Sequence, residues 1–199
     1  MADKKDNKPR SLTKKDQIVQ AAFNLFKENG FYATGVDLIM RTANISKRTL
    51  YNYFPTKNDL IVAVLKNYHM SYLKSLSLIL ERNDISGKDK ILAIFEDAKG
   101  WFDNPAFYGC LAVNAMGEFS GKAQDIEDSC KHFKQWELEV LRTLAKDAQA
   151  IQPDDLAFKL FLLLEGMSSA AQVLKRPCPI DITKMVDELI ESHLNKKTL

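Results

Sequence analysis

Nine residues, Ser46 to Phe54, concentrate hydrogen-bonding side chains on one short segment: Lys47, Arg48, Thr49, Tyr51 and Asn52. Leu50 and Phe54 lie four apart and fix the buried side of a helix. At about 100° per residue, Arg48 and Asn52 then point nearly opposite, with Thr49 and Tyr51 on the flanks. Lys47 sits near the N-terminal end. Such a face offers donors and acceptors that fit base edges and phosphates in a major groove. An ordinary surface helix is the competing reading, yet it would leave two tyrosine rings in water.

Charge points the same way. Residues 1–59 hold 11 Lys/Arg against 6 Asp/Glu, whereas residues 60–199 hold 17 against 20. A basic front and an acidic rear suggest that one end meets a polyanion, although a solvated Lys-rich tail gives the same count.

A second set of residues suits a small-molecule chamber. Trp101, Phe102, Phe107, Tyr108, Phe119, Phe133 and Trp136 cluster in sequence, interleaved with Asn114, Met116 and Glu118. An apolar pocket with a few polar groups is the usual ligand site, and plain core is the alternative for any single ring. Cys110 opens a helix in Gly109-Cys110-Leu111, where a thiol's pKa is expected to be lowered. It reads either as an oxidant or electrophile sensor or as an inert core thiol.

Other chemistry has little support. Cys110, Cys130 and Cys178 show no zinc spacing, and His69, His132 and His193 are scattered. No glycine-rich phosphate loop, paired-carboxylate pattern or Ser/His/Asp arrangement can be placed. No metal, cofactor or enzymatic activity is expected. The opening MADKKDNKPR has no apolar signal core, and Lys159 and Glu165 interrupt the most apolar stretch, Leu156 to Leu174. These features predict a cytoplasmic protein without a membrane partner.

The elements that must position these groups are all helical. Residues 1–12 read as a flexible arm. Ile18, Ala22, Leu25 and Phe26 set a helical stripe over 14–29, closed by Gly30. Short helices over 36–42 and 47–53 flank Ala43-Asn44-Ile45-Ser46, where Asn44 tolerates a left-handed turn and Ser46 caps the next helix. Pro55 ends the second of them. Further helices are predicted over 57–81, 88–102, 109–119 and 123–150. One from Asp154 or Asp155 to Leu174 and one over 181–194 follow. The chain is therefore all-α, about nine helices: a helix-turn-helix domain over 13–60 and a larger helical domain over 61–199, which holds the candidate ligand chamber.

The stretch Gly30-Phe-Tyr-Ala-Thr34-Gly-Val-Asp-Leu-Ile39, continued by Ala43-Asn-Ile-Ser46-Lys-Arg-Thr49-Leu-Tyr51-Asn-Tyr53-Phe54-Pro-Thr-Lys57-Asn-Asp-Leu60, resembles the DNA-binding domain of the TetR family of repressors. The resemblance covers about residues 14–60. Beyond it only length and helix count agree. Two departures are visible: Asn44 stands where the turn usually has Gly, and Gly35 where Ser or Thr is usual.

The resemblance implies a dimer on a double-stranded palindromic operator, released by a small-molecule effector. Thr34 and Lys57 would bind phosphate. Lys47, Arg48, Thr49, Tyr51 and Tyr53 would approach bases or backbone. Dimerisation would use the last two long helices, through Leu160, Leu163, Leu164, Met167, Ala170 and Ala171, and through Met185 and Leu189. The effector would meet Trp101, Phe102, Cys110, Asn114, Glu118, Phe119, Phe133 and Trp136. Some electrophile-responsive relatives carry a similar Gly-Cys-Leu segment, which implies repression relieved through Cys110 as the alternative. An architectural DNA-binding protein without a ligand is a further reading.

Overall fold

The computed structural model describes residues 12–176 and 179–194. Nearly all of the expected arm and Cys178 lie outside the described residues. Nine α-helices and no strand occur among the described residues, in two compact units that divide between Val64 and Leu65.

The first unit is built on α1 (Lys14–Asn29), α2 (Val36–Thr42), α3 (Lys47–Tyr53) and the first turns of α4 (Lys57–Leu80). Each starts or stops for a local reason. Thr13 and Asp16 form a reciprocal capping box at the head of α1, with Asp16 N–H donating to the Thr13 hydroxyl oxygen at 3.2 Å. Gly30 ends α1 at φ 83°, a conformation that suits a residue without a side chain. Asn44 carries φ 49° in the turn between α2 and α3. Ser46 accepts the Thr49 N–H at 3.1 Å and starts α3. Phe54, extended ahead of Pro55, ends it. Thr56 and Asp59 form another capping box at the head of α4. Ile18, Phe26, Phe31, Ile39, Leu50, Phe54, Leu60 and Ile61 make the core of this unit.

The second unit holds the remainder of α4, then α5 (Gly87–Phe102), α6 (Leu111–Phe119), α7 (Gln124–Asp147), α8 (Pro153–Leu174) and α9 (Ile182–Glu191). α7 packs against α5, α6 and α8, and α9 packs against α5 and α8. Ile91, Ile94, Phe95, Leu141, Leu144, Leu156, Leu160, Leu164, Val186 and Ile190 form the shared core.

Several boundaries depart from the sequence expectation. α6 begins at Leu111 because Gly109 takes φ 95° and Cys110 is extended. α7 stops at Asp147, where Gln149 turns left-handed at φ 60°. α9 ends at Glu191, and the chain tightens so that His193 N–H donates to the Ile190 carbonyl at 2.8 Å.

α8 corrects two expectations. By length and composition it could cross a bilayer, despite Lys159 and Glu165, but Leu156, Ala157, Leu160 and Leu164 pack into the protein core. The same burial removes Leu160, Leu164 and Met167 from the expected dimer contacts, since their own subunit covers them. The exposed apolar face is instead Phe158, Leu162 and Val173. Those residues lie four and eleven positions apart, on one stripe with Gly166 and Ser169. Of the other residues assigned to dimer contact, Ala170 and Met185 are exposed, and Leu163, Ala171 and Leu189 half-buried.

Candidate functional site

α3 displays the face that its sequence spacing predicts. Leu50 is buried, while Lys47, Arg48, Tyr51, Asn52 and Tyr53 are all exposed. Tyr51 and Tyr53 are 38% and 44% exposed, far more than a core role would allow. Thr49 is half-buried, and its hydroxyl lies 2.9 Å from that of Ser46, within the cap of the helix. Behind the face, the Lys15 ammonium lies 5.7 Å from the centre of the Phe54 ring.

Thr34 does not fit the phosphate-binding role. Its side chain is wholly buried, and its hydroxyl donates to the Gly30 carbonyl at 2.7 Å. It ties the connector to the end of α1, so its work is positional. Lys57 is half-buried and donates to the Phe31 carbonyl at 2.6 Å. That bond holds the ammonium beside the connector at the N-terminus of α4. Arg41, exposed at the end of α2, is a cation that the sequence reading passed over. It shares an open cleft of about 460 Å³ with Asp37, Met40, Asn44, Ile45 and Lys47. A cation in the last turn of the first helix of a helix-turn-helix pair was the available signal.

In the second unit the residues expected around a ligand fall into separate groups. Trp101 and Phe102 stack near Phe107, at ring-centre distances of 6.3 and 5.0 Å, and Trp101 is half exposed. Asn114 accepts from the Gln172 amide at 3.1 Å and donates to the Tyr108 carbonyl at 3.2 Å. Glu118 is half-buried, with its own carbonyl accepting from Lys122 at 2.8 Å, and Phe119 is buried. Cys110, Phe133 and Trp136 come together around a polar centre.

That centre is built largely from residues the sequence reading missed. Tyr68, His69 and Tyr72 from α4 surround the Phe133 ring at 5.6, 4.9 and 5.5 Å. Tyr68 lies close enough to Cys110, and Tyr72 to Glu137, for each neighbour to raise the phenol pKa. Lys134 donates to Glu137 at 2.8 Å and to Glu165 at 2.6 Å. The legible signal was on α7, where Ile126, Cys130, Phe133, Glu137, Leu141 and Leu144 make one buried stripe. A glutamate on an apolar stripe marks a polar site inside the unit.

Electrostatics correct the expectation for Cys110. Burial pushes its thiol pKa above the ordinary value, and the cation Lys134 only partly opposes this. A helix N-terminus lowers a thiol pKa only where solvation lets the thiolate form. Cys130 is likewise buried and pushed up to about 11. The phenols of Tyr68 and Tyr72 are raised well above their usual value, by burial first and then by their acidic neighbours. Burial disfavours the Lys134 ammonium, but Cys110, Glu137 and Glu165 raise its pKa overall. No group of three or more His, Cys, Asp or Glu suited to a metal occurs among the described residues.

Known proteins agree with this organisation. Residues 18–64 match the family described as bacterial regulatory proteins, tetR family, and residues 87–185 match the tetracyclin repressor-like C-terminal domain. NemR of Escherichia coli K12, an HTH-type transcriptional repressor, is 24% identical over 124 residues, 62% of this chain and 62% of NemR. The transcriptional regulator AcuR of Cereibacter sphaeroides is 23% identical over 172 residues, 82% of this chain and 78% of AcuR. A TetR-type regulator from Streptomyces avermitilis superposes with a TM-score of 0.81 over 92% of this chain and 98% of its own, at 23% identity. Reduced NemR gives 0.80 over 94% and 99%, at 19% identity. These structural likenesses speak to the fold. With one domain match in each unit, an exposed polar α3 and an all-helical second unit, the chain belongs to the TetR family of bacterial transcriptional regulators.

Proposed function

We propose that this chain is a cytoplasmic repressor that binds a two-fold operator as a homodimer and leaves it when a small molecule enters the second unit. The observation that carries the reading is α3: seven residues with Leu50 buried and Lys47, Arg48, Tyr51, Asn52 and Tyr53 in solvent. Such a rod can lie in a major groove with its polar side toward the bases. Lys47, Arg48 and Arg41 supply charge for phosphates, and Lys57 adds to it at a helix N-terminus.

A monomer reads half of a two-fold site, so a self-complementary surface is needed. The exposed Phe158, Leu162 and Val173 stripe of α8, with Met185 of α9, suits that role. Gly166, Ser169 and Ala170 allow close approach of a second helix. Repression fits the description of NemR as a repressor. The effector needs only to favour a dimer whose two α3 helices no longer match successive major grooves. α4 starts in the first unit and continues in the second, which makes it the natural carrier of that change. No membrane, metal or cofactor enters this reading.

Release through Cys110 modification is disfavoured by the burial of the thiol and its raised pKa. The test of the main reading is footprinting on the protein's own upstream region. Arg48→Ala with Tyr51→Ala should weaken protection at least about tenfold while leaving the melting temperature within a few degrees. Unchanged protection would exclude α3 as the reading helix. Uniform coating of any duplex would favour an architectural protein.

A further inference from the structure

The polar centre of the second unit is unbalanced in charge. One ammonium, Lys134, faces two carboxylates, Glu137 and Glu165. Tyr68, Tyr72 and Cys110 are held neutral, with their pKa values pushed upward. Burial lowers the pKa of His69, which keeps that imidazole neutral too. Two carboxyl groups thus share one ammonium in a half-covered site lined by neutral groups, an arrangement with room for a second cationic partner.

The walls are of the kind that attract cations. The Lys134 ammonium lies 4.9 Å from the Phe133 ring centre and 6.0 Å from that of Phe161. Tyr72 and Trp136 continue the wall, 6.1 Å apart, with Tyr72 edge-on to Phe133. The chain already seats an alkylammonium between two carboxylates and two aromatic rings. A separate observation points to a ligand at the same rings. The His69 Nε2 atom is buried without a hydrogen-bond partner, 4.9 Å and 5.2 Å from Phe133 and Trp136 measured between ring centres. A neutral imidazole nitrogen there can accept from a bound ammonium N–H or from water that solvates it.

Building on the reading of the second unit as an effector domain, we propose that the effector is a lipophilic organic monocation. It would be held by Glu137 and Glu165 against Phe133, Phe161 and Trp136, in the place of the Lys134 ammonium. Lys134 is not sealed in, with 21% of its side chain exposed, so its long flexible chain can carry the head outward as the ligand enters. Lys134 then acts as an internal competitor that keeps the site filled in the unliganded protein.

The sequence holds two tryptophans, so a Trp101→Phe background leaves Trp136 as the fluorescent reporter. Benzylammonium, benzenesulfonate and benzyl alcohol present similar rings with positive, negative and no charge. The cation should change Trp136 emission saturably, and about tenfold more tightly than either other probe. Glu165→Gln should weaken the cation about tenfold. Lys134→Met should tighten it about tenfold, the opposite of what loss of a merely structural ion pair would do. Circular dichroism melts on each variant report folding. Equal or tighter binding of benzenesulfonate, no saturable response to the cation, or weaker cation binding in Lys134→Met would overturn the proposal. Operator binding measured with the same samples separates the two claims. Release by the cation supports both, whereas saturable binding without release overturns its role as effector and leaves the DNA-binding reading standing.

Discussion

At Cys110 two local influences compete and burial wins. The residue sits at the N-cap of α6, but it is only 7% exposed and has Tyr68, Lys134 and Glu137 as neighbours. The thiolate is therefore a minor species near neutral pH, and the thiol is a weak nucleophile. We expect iodoacetamide to label Cys110 slowly in the native protein and rapidly in denaturant, followed by peptide mass mapping. Fast native labelling would revive the electrophile reading. Tyr68 and Tyr72 make a second residue-scale prediction. An unfolded tyrosine loses its proton near pH 10, and the folded phenols hold theirs to higher pH. The unfolded chain then binds fewer protons than the native one, so stability falls as pH rises through about 10 and is unaffected by these groups below it. Absorbance at 295 nm should show these two phenols ionising together with the alkaline loss of helix. Simple titration of every tyrosine while the protein remains folded would refute this.

Among the elements, α3 shows how a short helix is kept in place. Seven residues are too few to be stable alone, so its Ser46 cap, the anchors Leu50 and Phe54, and the Asn44 turn must do the holding. The α5–α7 contact depends on a different device. A Cβ added at Gly87 would lie 2.7 Å from both the Ala148 nitrogen and the Leu144 carbonyl oxygen. Both are backbone atoms and cannot rotate away. Gly87→Ala should cost about 1–3 kcal/mol by forcing the start of α5 off the end of α7. Denaturant unfolding measures this, and a neutral or stabilising result would mean that the two helices part at no cost. The sequence pattern places the start of that helix at residue 88 and leaves Gly87 in the preceding loop, because no sequence pattern announces a close approach between helices distant in the chain.

For the molecule as a whole, the assembly prediction turns on which side of α8 faces outward. Leu160 is fully buried and Leu162 is 55% exposed, only two residues apart. Leu162→Glu should give a folded monomer in light scattering, with operator affinity reduced by about two orders of magnitude. Leu160→Ala should instead lower stability by about 2–5 kcal/mol through a cavity in the core. If Leu162→Glu remained dimeric, the interface would have to lie elsewhere.

The sequence alone determined the parts whose causes are local. Capping residues, the Asn44 turn, the stop at Phe54-Pro55 and the 3.6-residue stripes of α1 and α3 depend on neighbours within a turn or two. The nine helices of the described residues, and the outward face of α3 with Arg48, Tyr51 and Asn52, were readable for that reason. Tertiary structure decided what depends on the other side of a contact. α8 is apolar nearly all round, so its pattern has no phase, and only packing against α5 and α7 shows that Leu160, Leu164 and Met167 turn inward. Thr34 looked like a surface ligand until the connector folded over it. Tyr68 and Tyr72, Lys134 and Glu137, and Glu165 lie on three helices, and no sequence spacing links the groups of one helix to those of another. Burial and charge balance are sums over such distant neighbours, which is why the character of the second unit's polar centre emerged only with the fold.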